Sequence, residues 1–115
     1  MEIPLQITFR NIERSEAVEA RIREKVDKLE QYYDRITSCR VVVDSPHNHQ
    51  HKGKSFSVRV DLTMPGDEIV VKRNPGADRA HEDVYMAIRD AFEAVRRQLK
   101  TRVRRLRERS HERSH

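Results

Sequence analysis

The stretch FSVRVDLTMPGDEIVVKR, from Phe56 to Arg73, decides the fold. Phe56, Val58, Val60, Leu62 and Met64 alternate strictly with Ser57, Arg59, Asp61 and Thr63, the period of a strand with one buried face. Pro65-Gly66-Asp67 then turns the chain back into a further strand, roughly Glu68–Arg73. Strands that are apolar on one side and polar on the other belong to a sheet covered on a single face.

Upstream, Val41, Val42 and Val43 mark a strand around Ile36–Asp44, β-branched and therefore suited to a pleated surface. Before it, Val18, Ile22, Val26, Leu29 and Tyr33 recur at helical spacing through about Asp34. Ser15 reads as the N-cap of that helix, with Glu16 and Glu19 in the first turn, where the helix dipole favours anions. Ile3, Leu5, Ile7 and Phe9 alternate with Pro4, Gln6 and Thr8 and predict the first strand. Pro4 cannot donate to a ladder, which places that strand at an edge or Pro4 at its start.

Downstream, a long helix is expected from about His81 or Asp83. Its buried stripe is Val84, Ile88, Phe92, Val95, Leu99, Val103 and Leu106, with no glycine or proline before Arg109. At 1.5 Å per residue it would reach ~40 Å, whereas an eight-residue strand spans ~26 Å. Part of the helix should overhang the sheet. Ser45–Lys54 and Asn74–Ala80 read as loops, and the repeat ERSHERSH as a frayed tail over residues 110–115.

The order is therefore β-α-β-β-β-α in one domain, residues 1–109. A right-handed crossover makes the first two strands parallel neighbours, and the two hairpins add antiparallel ones. The fold class is α+β: a four-stranded mixed sheet with two helices packed on one face, the other face wet.

Composition narrows the function. In 115 residues the apolar share is 36% and the charged share 37%, so a compact core sits under a densely ionic surface. No apolar run approaches the ~18 residues of a membrane span, and MEIPLQITFR carries no secretory pattern. Cys39 is the lone cysteine, which fits a reducing compartment and a cytoplasmic location. The net charge of +5 is unevenly placed. From Ala94 onward nine bases face two acids, a net of +7, while the rest holds fifteen bases against seventeen acids, a net of −2. A localised positive field calls for a polyanionic partner.

Placing residues every ~100° around each helix axis sorts these charges. On the long helix Arg89, Arg96, Lys100 and Arg107 fall along one flank of the apolar stripe, with Arg97 and Arg104 just beyond. On the first helix Arg21, Lys25 and Lys28 line a flank beside Tyr32, and Glu16, Glu19, Asp27 and Glu30 take the opposite side. A solvated helix face is the ordinary meaning of such charges. It explains less well why acids nearly vanish after Glu93 and arginine outnumbers lysine, since arginine's planar fork suits phosphate. The nine basic residues Arg21, Lys25, Lys28, Arg89, Arg96, Arg97, Lys100, Arg104 and Arg107 are the candidate RNA-binding set.

No enzyme signature accompanies them. Gly53, Gly66 and Gly76 are isolated and build no phosphate-cradling loop, and Glu82 and Asp83 beside His81 read as helix N-terminal residues. Cys39, inside a strand, reads as a buried structural thiol. His47, His49 and His51 alternate in one loop, with His81 a possible neighbour. Three imidazoles can hold zinc or nickel, but no cysteine or carboxylate pattern completes a tetrahedral set. The reading is a polar loop touching RNA or solvent, with no metal and no cofactor. Tyr32 and Tyr33 could stack on a base, although the register of Tyr33 assigns it to the core.

KLEQYYDRI (Lys28 to Ile36) and HEDVYMAI (His81 to Ile88), followed by Arg97-Gln98-Leu99, resemble the hibernation-promoting factor and ribosome-associated inhibitor family, once called sigma-54 modulation proteins. Order of elements and length agree over residues 1–109. The resemblance implies a fold similar to double-stranded-RNA-binding domains. It also implies binding to ribosomal RNA of the small ribosomal subunit, in the channel for messenger and transfer RNA, and silencing of translation in stasis. Lys25 and Lys28 fall on the family's basic positions, and Arg97 matches a family arginine. Ala94 and Thr101 depart from common basic positions, and the histidine loop is longer than in the best-known members. The chain lacks the dimerisation domain of long-form factors, which favours a free monomer with no small-molecule substrate. The alternatives are a general structured-RNA-binding protein or RNA chaperone, and an arginine-rich module for acidic lipid or protein. The lack of exposed aromatics argues against a membrane partner.

Overall fold

A computed structural model describes residues 3–45, 56–73 and 83–113, with side chains to residue 109. The elements are β1 (Leu5–Arg10), α1 (Glu16–Tyr32), β2 (Ser38–Asp44), β3 (Ser57–Met64), β4 (Asp67–Arg73) and α2 (Val84–Arg113). The strands form one sheet in the order β1-β2-β3-β4. β1 runs parallel to β2, with Leu5 opposite Cys39, and the two other pairings are antiparallel. This is the expected α+β arrangement. The histidines at 47, 49, 51 and 81 lie outside the described residues.

Local chemistry explains the boundaries. Pro4 precedes edge strand β1, where a missing N–H is tolerated, and its carbonyl accepts from Cys39 N at 3.0 Å. The Ser15 hydroxyl accepts from Val18 N at 3.2 Å and caps α1. Tyr33 has left helical geometry (φ −143°) but still donates its N–H to the Leu29 carbonyl, so α1 ends slightly before the apolar periodicity does. Between β3 and β4 the loop is Pro65-Gly66, with Gly66 at φ +73°, which suits proline first and glycine second in a tight turn.

The core lies between the sheet and the two helices. Val41, Val43, Val58, Val60, Leu62, Met64, Ile69 and Val71 point into it from the strands, and Val18, Ile22, Val26 and Leu29 from α1. On α2 the buried face is wider than the large apolar residues indicate. Ala87, Ala91 and Ala94 are buried beside Ile88, Phe92, Val95, Leu99 and Val103. Two residues of the expected stripe differ. Val84 is only partly buried, and Leu106 is 38% exposed. Arg102 pins α2 to the start of β4 through a 2.8 Å bond from Nε to Asp67 Oδ2, and beyond it the helix runs past the β3–β4 turn. Leu106 lies in this part of the helix and lines a hollow with Pro65 of the turn.

Candidate nucleic-acid interface

Two cation–aromatic contacts show how the helices lie. The Arg21 guanidinium sits 5.2 Å from the centre of the Tyr85 ring, and Lys100 Nζ lies 6.0 Å from that of Tyr32. Each joins α1 to α2, early residue to early and late to late, so the helices run parallel. The topology agrees, because β1 and β4 run in the same direction and each helix returns antiparallel to the strand that precedes it.

A groove opens between them. Its floor includes buried Leu29 and Phe92, its α1 wall carries Lys25 and Lys28, and its α2 wall carries Arg89 and Arg96. The two basic margins thus face one another. Tyr32 and Gln31 continue into a second hollow that Arg35, Leu106 and Arg107 also line. Lys100, against Tyr32, stands at the junction, and Arg21, against Tyr85, at the opposite end.

The cations are lightly neutralised. Lys28 approaches Glu24 at 3.6 Å and Arg89 approaches Asp90 at 3.4 Å, both in exposed settings where ion pairs contribute little. Among the described residues, Lys25 and Arg96 have no ion pair, and Glu93 is the one acid lining the groove. Cations on both walls above an apolar floor suit a phosphate backbone, which is held by charge and donor geometry rather than by base identity.

Not every candidate comes together. Lys25, Lys28, Arg89 and Arg96 line the groove and Arg107 its continuation, Lys100 reaches the Tyr32 ring that lines both, and Arg21 lines neither hollow but sits against Tyr85. Arg97 and Arg104 are exposed and line neither hollow. They stand on the outer ridge of α2. Arg35 is an addition: it follows α1 in an irregular segment, where helical periodicity assigns no direction. The departures at Ala94 and Thr101 also fall away from the groove. Ala94 is a core residue at 4% exposure, and the half-buried Thr101 hydroxyl donates to the Arg97 carbonyl at 3.2 Å.

Burial, with Asp61 adding, pushes the Cys39 thiol up to about 12, the opposite of an activated nucleophile. Among the described residues no group of three or more histidines, cysteines and carboxylates could hold a metal.

Comparison with known proteins places this geometry. Residues 5–107 match the family model described as sigma 54 modulation protein / S30EA ribosomal protein. A ribosome hibernation promotion factor of Deinococcus radiodurans is 33% identical over 97 residues, covering 83% of this chain and 46% of that protein. The chain thus spans about half the length of that relative. A ribosome hibernation promoting factor of Pseudomonas putida is 28% identical over 96 residues, 84% of this chain and 82% of its own. Among solved structures, a ribosomal subunit interface protein from Coxiella burnetii superposes with a TM-score of 0.68 at 16% identity, covering 86% of this chain and 96% of that one. At that identity the likeness is one of fold.

Proposed function

The chain belongs to the sigma 54 modulation protein / S30EA ribosomal protein family, and on that premise we propose that it is a non-enzymatic ribosome hibernation factor. It binds ribosomal RNA of the small subunit with the groove between α1 and α2, in the channel that otherwise holds messenger and transfer RNA, and so silences translation in the cytoplasm. The observation that carries this reading is the convergence of Lys25 and Lys28 with Arg89 and Arg96 on one groove from two separate helices. Solvated faces alone would have no reason to meet.

Roles follow from position. The four groove cations hold the phosphate backbone, and Arg21, Lys100 and Arg107 extend the contact along it. Arg97 and Arg104 reach neighbouring phosphates from the ridge. No helix among the described residues is long and apolar enough to cross a membrane.

Competition on purified small subunits tests the channel assignment. Prebound protein should block binding of a short messenger RNA and of initiator transfer RNA, in proportion to its own occupancy. Unimpeded binding of both on saturated subunits would place the protein elsewhere on the ribosome.

A further inference from the structure

The sheet face turned away from the helices carries a second set of cations that the groove does not use. Each strand contributes one: Arg10 from β1, Arg40 from β2, Arg59 from β3 and Lys72 from β4, all exposed. They line a shallow hollow with two carboxylates, Asp44 and Asp61. Both acids have local partners. Asn11 Nδ2 donates to Asp44 Oδ1 at 2.9 Å, and Arg59 Nε donates to Asp61 Oδ1 at 3.0 Å. Arg10, Arg40 and Lys72 have no ion pair among the described residues. In the sheet register Arg59 stands directly opposite Lys72, while Asp44 stands opposite Arg10 and Asp61 opposite Arg40.

We propose that this open face is a second RNA-backbone surface, so that the domain is held between two RNA segments, one in the helix groove and one across the sheet. The identity of that RNA as ribosomal rests on the reading above; the chemistry of the face does not. Four strands at ~4.8 Å spacing spread the cations over roughly 14 Å, the width of an extended phosphate track rather than of a single anion. Gln6 and Thr8 line the same hollow and supply neutral donors and acceptors for phosphate and ribose oxygens. Among the described residues that line it, none is aromatic. Phe9 and Phe56 pack against the core, and the apolar residues of this face are Val42 and the 43% exposed Val70. The face therefore contacts backbone and does not read splayed bases.

The test uses the triple variant Arg10→Gln, Arg40→Gln, Lys72→Gln with the groove intact. Affinity for purified small subunits is measured across a salt series. Loss of three phosphate contacts should flatten the slope of log K against log salt by about 2 to 3. Lys72→Gln alone should not lower the thermal midpoint, because it removes a like-charge neighbour. A second experiment places a hydroxyl-radical-generating chelate on Thr8→Cys or on Glu93→Cys, with the native Cys39 buried. The two probes should cut separate ribosomal RNA segments. Wild-type affinity and slope in the triple variant would overturn the proposal. So would the absence of RNA cleavage from position 8, including the case where that face meets an acidic ribosomal protein. If the wild-type protein ignores small subunits, the ribosomal reading fails by itself, and the same slope comparison on duplex RNA still decides the role of this face.

Discussion

Lys100 on α2 holds its ammonium 6.0 Å from the centre of the Tyr32 ring at the end of α1, and so couples the two walls of the groove. A cation over an aromatic face in a half-open setting contributes about 0.5–1 kcal/mol. Tyr32→Leu keeps apolar contact and removes the ring's quadrupole. A double-mutant cycle of Tyr32→Leu with Lys100→Gln, followed by urea unfolding, should give a coupling within that range. Strict additivity would mean that the contact holds nothing together.

The groove and the ridge should separate in binding. Lys25→Gln, Lys28→Gln, Arg89→Gln and Arg96→Gln together should flatten the salt slope for small subunits by about 3 to 4, at roughly 0.9 per duplex phosphate. Arg97→Gln with Arg104→Gln should flatten it by less than 2. Filter binding at several salt concentrations checks both, and a larger loss from the ridge pair would move the footprint outward.

Cys39 sets a pH dependence. Its ordinary value is 9.0 and burial, with Asp61 adding, pushes it up to about 12. Between those values the unfolded chain releases the thiol proton and the folded chain keeps it, so stability falls as pH rises, by at most about 1.4 kcal/mol per unit. Below 9 the thiol is protonated in both states and contributes no slope. Urea midpoints at pH 8 and pH 10 should therefore diverge more for the wild type than for Cys39→Ala. Equal divergence would show the thiol to be solvated.

Gly66 isolates a backbone cost. A Cβ there meets nothing within 4 Å, yet φ is +73°. Gly66→Ala should thus destabilise by about 1 kcal/mol through conformation alone. Thermal unfolding reads it, and a neutral result would mean that the turn readily adopts another geometry.

Most of the fold was legible because the two periods are clean: alternation from Phe56 to Met64, and helical spacing from Val18 to Leu29. The width of the α2 core was not. Ala87, Ala91 and Ala94 carry too little hydrophobicity to mark a face, but all three are buried in the core. Leu106 reads as core by spacing and is 38% exposed, beside Pro65 in an open hollow. For the groove, angular position put Arg89 and Arg96 on one line. That Lys25 and Lys28 stand opposite depends on how two helices dock, which no single helix encodes. The same arithmetic set Arg97 and Arg104 just beyond the line, and they stand on the outer ridge. The aromatic partners of Arg21 and Lys100 emerge only from that docking, since Tyr85 and Tyr32 belong to opposite helices.

The most direct test of the central claim is co-sedimentation with small subunits and whole ribosomes at near-physiological salt, in the presence of excess unrelated duplex RNA. Wild-type protein should migrate with the small subunit at one copy each, undisturbed by the competitor, and the fourfold groove variant should stay at the top of the gradient. Wild-type protein stripped from the subunit by any duplex RNA would contradict a dedicated ribosomal site and leave a general RNA-binding domain.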